Sequence, residues 1–176
     1  LGRPDRPAPG PGGSPGKETI VTDFDPTLDL RLERMIAARP ETLWRCWTDP
    51  ELIKQWFCPV PWRVWHAEVD ARPGGIFLTA MEGPDGERHD GEPGCVLAAE
   101  PGRLFSFTDS LSPGYRPRGS GFMTGIISFT ADGDGTRYLA QVLHGTAEDR
   151  QKHLEMGFEE GWGIAADQLA ALAATL

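Results

Sequence analysis

Residues 146–176 read TAEDRQKHLEMGFEEGWGIAADQLAALAATL, and this stretch predicts one long amphipathic helix at the end of the chain. Thr146 is a suitable N-cap, and Glu148 and Asp149 follow on the first turn, where the helix dipole favours negative charge. At a rise of about 1.5 Å per residue the helix would be roughly 40 Å long, enough to cross a small domain. Its apolar residues recur at steps of three or four and therefore share one face. They are Leu154, Phe158, Trp162, Ala165, Leu169, Leu172 and Leu176.

Three glycines, Gly157, Gly161 and Gly163, lie inside this predicted helix. Each costs about 1 kcal/mol relative to alanine in a helix interior, so their presence needs a reason. One interpretation is close packing of the helix on a sheet. The other is that the missing side chains leave room for a ligand beside Phe158 and Trp162. Both interpretations require a sheet beneath the helix.

The rest of the chain predicts that sheet. Residues 28–37 alternate apolar and polar side chains, as expected of a first strand. Two short helices follow, the first opened by Pro40 and the second by Asp49-Pro50-Glu51, which supplies an N-cap and a proline on the first turn. Turn residues then separate six further antiparallel strands, and the first strand can pair at an edge of their sheet. The six strands are expected near residues 62–71, 76–82, 95–99, 103–108, 121–130 and 136–143.

This order of elements predicts an α+β fold, in which a strongly curved antiparallel sheet of about seven strands grips the C-terminal helix. A meander of this length curls because its strands twist. The long helix is the element large enough to cover the concave face, and the two short helices after the first strand close one end. Because a curved sheet rarely fills completely against one helix, a cavity between them is expected.

The composition indicates one domain with a terminal tail. Residues 27–176 are long enough to bury a substantial core. Residues 1–26 are rich in proline and glycine and nearly devoid of apolar side chains, so we expect a disordered tail there.

The charge and the cysteines limit the possible partners. A net charge of −9 argues against a nucleic-acid partner, which needs a basic surface. No apolar run approaches the roughly 20 residues of a membrane span, and no signal peptide is recognisable, so no membrane partner is expected. Cys46, Cys58 and Cys95 lack metal or redox spacing, and reduced thiols in the cytoplasm are the simplest interpretation.

A set of motifs occurs in order along residues 28–175. They are Pro40-Glu41-x-x-Trp44-x-x-Trp47-Thr48-Asp49-Pro50-Glu51, Trp56, Asp70-x-Arg72-Pro73-Gly74-Gly75 and Met156-Gly157-Phe158-x-x-Gly161-Trp162. In these motifs the chain resembles the SRPBCC superfamily, and within it the bacterial homologues of activators of the heat-shock-protein-90 ATPase. The resemblance implies the START-like helix-grip fold, also seen in the birch pollen allergen, and a cavity without a particular ligand.

The resemblance also suggests classes of function. Members of the superfamily with assigned roles bind or process lipids, hormones, aromatic rings or polyketides, and some sequester reactive secondary metabolites. The eukaryotic cochaperones carry a separate folded N-terminal domain, to which the tail at residues 1–26 offers no counterpart. A cochaperone role is therefore the less favoured implication.

The predicted ligand contacts are mainly aromatic. Trp44 and Trp47 are expected in the core, whereas the junction between the short helices and the next strand should lie near the cavity mouth. On the strand at 62–71, alternation places His66 and Glu68 towards solvent and the apolar residues towards the cavity. The predicted ligand-binding residues are Trp56, Phe57, Trp62, Trp65, Phe122, Met123, Phe158, Gly161 and Trp162.

Candidate catalytic residues are fewer. His144 ends the last strand and His153 lies early in the helix, so the two can approach one another around Thr146. Histidine is the usual general base near neutral pH, and Asp109 is a further acid–base candidate, although a structural hydrogen bond is an alternative role for His144. The segment at 110–120 is expected to form a mobile lid. The four histidines lack metal spacing, so neither a metal nor a cofactor is expected.

These observations favour a cytoplasmic carrier or sequestering protein for a small hydrophobic molecule, aromatic or polyketide-like, of the kind found in bacterial secondary metabolism. A cyclase, aromatase or hydrolase that uses His144 with Asp109 or His153 is the competing class. A protein-interaction module is the third. The sequence leaves the oligomeric state open between monomer and homodimer.

Overall fold

The computed structural model describes residues 23–176, so most of the predicted tail lies outside the described residues. The described part begins with a turn. The backbone N–H of Asp25 donates to the carboxylate of Asp29 at 2.9 Å, and the N–H of Leu28 donates to the Asp25 carbonyl at 3.0 Å. This turn leads directly into the first strand.

Within the described residues the chain forms four helices. The two short helices begin at Pro40 and Pro50 as predicted, and Asp49 caps the second by accepting a hydrogen bond from the N–H of Glu51 at 2.9 Å. The predicted N-cap of the C-terminal segment is also confirmed, since Thr146 Oγ1 accepts from the N–H of Asp149 at 3.1 Å. The helices are α1 Pro40–Thr48, α2 Pro50–Ile53, α3 Ala147–Glu155 and α4 Phe158–Ala173.

The strands form one curved antiparallel sheet and a small separate hairpin. The main sheet runs in the order β1-β10-β9-β6-β5-β3-β2, with β4 paired to β3, and β7 pairs with β8. The predicted edge position of the first strand is confirmed by its pairing with β10. The strands are β1 Asp29–Ile36, β2 Arg63–Val69, β3 Ile76–Glu82, β4 Arg88–His89, β5 Gly94–Glu100, β6 Leu104–Thr108, β7 Leu111–Ser112, β8 Arg116–Pro117, β9 Thr124–Asp132 and β10 Gly135–Leu143.

The prediction of a single C-terminal helix is wrong, because the helix is interrupted at one residue. Gly157 adopts a left-handed backbone, with φ 91° and ψ 40°, and separates α3 from α4. Glycine takes this conformation without the steric penalty that a Cβ atom brings. The N–H of Gly157 donates to the Leu154 carbonyl at 3.0 Å, and the Gly157 carbonyl accepts the N–H of Gly161 at 2.8 Å. The same glycine thus ends one helix and starts the next.

A cluster of aromatic rings fills one part of the space between helices and sheet. Trp47 is only 1% exposed and lies among Phe77, Phe105 and Phe107, with ring centroids 5.9–6.4 Å from its own. Phe77 and Phe107 approach to 4.3 Å. Trp44 packs edge-on to Phe105 at 5.9 Å, so the predicted core role of both tryptophans of α1 is confirmed.

The loop between α2 and β2 is fastened to α4 by one side chain. Gln168 donates from Nε2 to the carbonyls of Trp56 and Cys58, at 2.8 and 2.9 Å, and its Oε1 accepts from the N–H of Val60 at 3.1 Å. The buried thiols of Cys46, Cys58 and Cys95 are free, and desolvation raises the pKa of Cys46 and Cys58 to about 11. Both therefore stay protonated at neutral pH.

The strand β2 departs from simple alternation. A bulge lies between Val64 and His66 in its pairing with β3, so Val64 and Ala67 are both buried. A bulge shifts the faces by one residue, and the predicted cavity-side position of Trp65 is therefore wrong. His66 does face solvent as predicted.

Alanine substitutions at two glycines are expected to change stability in opposite directions. Gly157→Ala forces a side chain into the left-handed region, which costs about 1–2 kcal/mol. Gly161→Ala adds a methyl group that meets only Pro59 Cγ, at 3.9 Å, and gains up to about 1 kcal/mol of helix propensity. Urea denaturation followed by circular dichroism measures both changes. Equal destabilisation by the two substitutions would contradict the left-handed conformation of Gly157.

Candidate ligand-binding cavity

A cavity of about 890 Å³ lies between the sheet and the C-terminal helices. Its existence follows from the aromatic cluster, which fills only part of the space that the curved sheet encloses. Aromatic and thioether side chains form much of its lining. They are Trp47, Trp56, Phe57, Phe77, Met81, Phe107, Phe122, Met123, Tyr138, Met156, Phe158 and Trp162.

The glycines of α4 serve both roles that the sequence left open. Gly161 lines the cavity, and a Cβ atom there would meet only Pro59 Cγ within 4 Å, so its missing side chain enlarges the cavity. Gly163 faces strand β1, where a Cβ atom would lie 3.3 Å from Arg34 Nη2. One glycine therefore opens space and the other allows close packing.

Seven of the nine predicted ligand-binding residues line this cavity, and two lie elsewhere. The Trp62 ring packs against His89, with centroids 5.5 Å apart, and the guanidinium of Arg88 lies 4.9 Å from the Trp65 ring centroid. The seven that the structure brings together are Trp56, Phe57, Phe122, Met123, Phe158, Gly161 and Trp162.

Sequence reasoning missed several lining residues that come from separate strands. Phe77 on β3, Phe107 on β6 and Tyr138 on β10 face the cavity, together with Trp47 at the edge of the core. Strand alternation could have identified the two phenylalanines as inward-facing. Burial raises the pKa of Tyr138 above its ordinary value, so its phenol stays protonated.

The predicted approach of the two histidines is confirmed. His144 Nε2 and His153 Nδ1 are 2.9 Å apart, and His144 Nδ1 lies 2.8 Å from the Leu28 carbonyl oxygen. The short connection through Thr146 turns the chain from the end of β10 into α3 and brings the rings together. His144 therefore makes the structural hydrogen bond that the sequence left as an alternative role.

His153 is the member of this pair that lines the cavity. Its ring centroid lies 5.1 Å from those of Phe122 and Phe158 and 6.1 Å from that of Trp162, and the residue is 8% exposed. Desolvation, and secondarily the proximity of His144, lowers the pKa of His153 to about 4. The side chain is therefore neutral at physiological pH.

Asp109 also lines the cavity, but its carboxylate is engaged by the backbone. Asp109 Oδ1 accepts hydrogen bonds from the N–H groups of Phe122 and Met123, at 2.7 and 3.1 Å. These hydrogen bonds join the two ends of the segment between β6 and β9. They hold Phe122 beside His144, with ring centroids 5.5 Å apart. This arrangement gives Asp109 an anchoring role at the cavity wall.

The segment predicted to form a lid contains the hairpin β7–β8. It is attached at Gly114, whose N–H donates to the Gly74 carbonyl at 2.8 Å. Arg118 ties its end by donating to Ser112 Oγ and Glu92 Oε2, both at 2.8 Å, and to the Pro93 carbonyl. Arg118 and Glu92 both line the cavity, so this ion pair forms part of its rim.

Two further features concern metals and membranes. Residues 23–176 contain no group of three or more His, Cys, Asp or Glu side chains that could hold a metal ion. Among the helices described, none has the length and apolar character needed to cross a bilayer.

The fold and the cavity define a helix-grip protein with a mainly apolar cavity between its sheet and its C-terminal helices. Residues 37–174 match the family model described as "Activator of Hsp90 ATPase homolog 1-like protein". The chain belongs to this family. No match is found among curated proteins.

Solved structures of related proteins support the assignment. A protein of Nitrosomonas europaea is 40% identical, with a TM-score of 0.83 over 86% of this chain and 97% of its own. A protein of Mycobacterium smegmatis is 29% identical, with a TM-score of 0.71 over 85% and 92%. An AHSA1-like protein of Aeromonas hydrophila, at 20% identity and a TM-score of 0.62 over 84% and 93%, shares the fold.

The buried, neutral His153 predicts that stability falls at acidic pH. An unfolded chain binds this proton near pH 6.5, whereas the folded chain binds it near pH 4. Between these values the unfolded state holds more protons, so the free energy of unfolding falls as the pH falls from 6.5 towards 4. The total loss from this residue is at most about 3 kcal/mol.

Urea denaturation at several pH values tests this expectation. His153→Phe should flatten the decline in stability between neutral and acidic pH. His66→Phe makes the same change at a half-exposed position and serves as the matched control, which should keep the wild-type slope. An unchanged slope in His153→Phe would show that His153 is not held neutral by the fold.

Proposed function

We propose that this protein binds a small, mainly apolar aromatic molecule of polyketide-like character in the cavity between helix and sheet, and carries or sequesters it. The observation that supports this proposal most strongly is the unfilled volume of about 890 Å³ beside a buried aromatic cluster. Pockets for small ligands are typically about 300–1,000 Å³, with mostly apolar and aromatic linings.

The lining suits a flat ligand. Phe57, Phe122 and Trp162 keep partly exposed rings in the lining, and aromatic rings gain about 0.5–1.5 kcal/mol from favourable ring geometry in addition to area burial. Gly161 leaves space next to Trp162, so a planar molecule can lie against that helix without displacing a side chain.

The polar groups of the cavity favour binding over catalysis. An effective general base has a pKa near the working pH, whereas that of His153 is lowered to about 4. Asp109 Oδ1 accepts two backbone N–H groups, which fixes the carboxylate at the cavity wall. The histidine pair is the feature that supports the alternative, an enzyme acting on the bound molecule, and product formation that His144→Ala abolishes without weaker binding would favour that alternative.

Filling the cavity from the helix should abolish binding without loss of stability. Gly161→Leu places an isobutyl group in the open space beside Trp162, where a Cβ atom meets only Pro59 Cγ at 3.9 Å. Removing a helical glycine stabilises the helix by up to about 1 kcal/mol, so the variant should remain folded. We expect quenching of tryptophan fluorescence by bicyclic and tricyclic aromatics in the wild type and at least about tenfold weaker binding in the variant.

Ala171→Leu is the matched control, because it introduces the same leucine side chain into the same helix at an exposed position outside the cavity lining. It should bind as the wild type does. Unchanged affinity in Gly161→Leu would place the bound aromatic outside the cavity. Absence of binding across a broad aromatic panel in the wild type would overturn the proposal.

A further inference from the structure

The hydrogen-bond partners of His144 and His153 determine which ring nitrogens carry protons. The Leu28 carbonyl can only accept a hydrogen bond, so the Nδ1 atom of His144, 2.8 Å away, carries a proton. In a neutral imidazole the second nitrogen is then an acceptor. When both imidazoles are neutral, His144 Nε2 thus accepts from His153 Nδ1 across 2.9 Å. In neutral His153, whose Nδ1 carries this proton, Nε2 keeps a free lone pair.

That lone pair has no protein partner within residues 23–176, where Nδ1 of His153 makes the hydrogen bond to His144 and Nε2 makes none. The ring is enclosed by Phe122, Phe158 and Trp162, which all line the cavity. Unlike the fully buried and unpartnered Trp65 Nε1, His153 Nε2 keeps some accessible surface. An accessible acceptor therefore lies among the aromatic rings.

Several charged groups of the lining are already engaged. Arg118 donates to Ser112, Glu92 and the Pro93 carbonyl, and Asp109 accepts two backbone N–H groups at Oδ1. Lys152 is exposed, with its ammonium 6.0 Å from the Phe122 ring, and so remains hydrated. His153 combines burial, neutrality and an unused acceptor, and its pKa of about 4 keeps that acceptor unprotonated at neutral pH.

We propose that the molecule bound in the cavity carries a hydroxyl or ring N–H that donates to Nε2 of His153. The cavity then selects a hydroxylated aromatic over the same ring system with that oxygen alkylated. This inference rests on the proposed function and specifies the chemistry of its ligand. A buried acceptor left unpaired by an apolar ligand is penalised, which is the physical basis of the selection.

Matched probes test the selection. Isothermal titration calorimetry at about pH 7.5, above the ordinary histidine pKa, compares 2-naphthol with 2-methoxynaphthalene. The wild type should bind 2-naphthol roughly two- to tenfold more tightly, as expected for one neutral hydrogen bond. His153→Phe keeps an aromatic ring and removes the acceptor, so the two affinities should become equal. His66→Phe, the control, should keep the wild-type preference.

The decisive quantity is the ratio of the two affinities, compared between the wild type and His153→Phe. A purely structural role of His153 would weaken the binding of both probes alike and leave this ratio unchanged. The larger size of 2-methoxynaphthalene affects the wild type and the variant equally. Equal affinities in the wild type, or a preference that survives in His153→Phe, would overturn the inference and leave the proposed function standing. If neither naphthalene binds, the proposed function fails for such aromatics and the inference fails with it.

A second measurement needs no variant. Nitrogen-15 NMR of the histidine-labelled protein reports which ring nitrogens carry protons. His153 should show a protonated Nδ1 and an unprotonated Nε2, and the Nε2 signal should move on addition of 2-naphthol but not of 2-methoxynaphthalene. A protonated Nε2 in the free protein at neutral pH would overturn the inference, even if His153→Phe fails to fold.

Discussion

The left-handed backbone at Gly157 separates two helices that have different neighbours. On one side α3 carries His153 to His144 at the end of β10, and on the other α4 carries Phe158 and Trp162 along the cavity. A continuous helix would fix the relative rotation of these residues by its period of about 3.6 residues per turn. The break removes that constraint, so one chain segment can satisfy the histidine pair and the cavity wall at the same time.

The aromatic cluster and the cavity share one set of side chains. Trp47, Phe77 and Phe107 pack with one another on one face and line the open volume with another. Large rings in mutual contact hold their positions without a ligand, so the apolar wall is present before anything binds. Such preorganisation lowers the ordering cost of binding.

The elements that depend on local sequence could be predicted, and those that depend on distant contacts could not. The caps at Asp49 and Thr146 and the succession of neighbouring strands from β2 to β10 follow from residues close together in the chain. The break at Gly157 was missed because a glycine inside a helical pattern looks the same whether it is helical or left-handed. The position of Trp65 was missed because the bulge in β2 exists only in pairing with β3. The histidine pair was foreseen because one short turn joins the two residues.

The helices α3 and α4 are attached to the rest of the domain by different numbers of side-chain hydrogen bonds. Gln168 fastens α4 through three hydrogen bonds to the backbone of the loop before β2. The side chains of α3 reach the body of the domain through the histidine pair and a long 3.5 Å contact from Arg150 to the Asp29 carbonyl. Displacing α3 about its glycine joint breaks fewer polar contacts than lifting α4. Opening the space beneath α3 therefore breaks fewer hydrogen bonds than separating α4 from the loop before β2, which Gln168 holds in place.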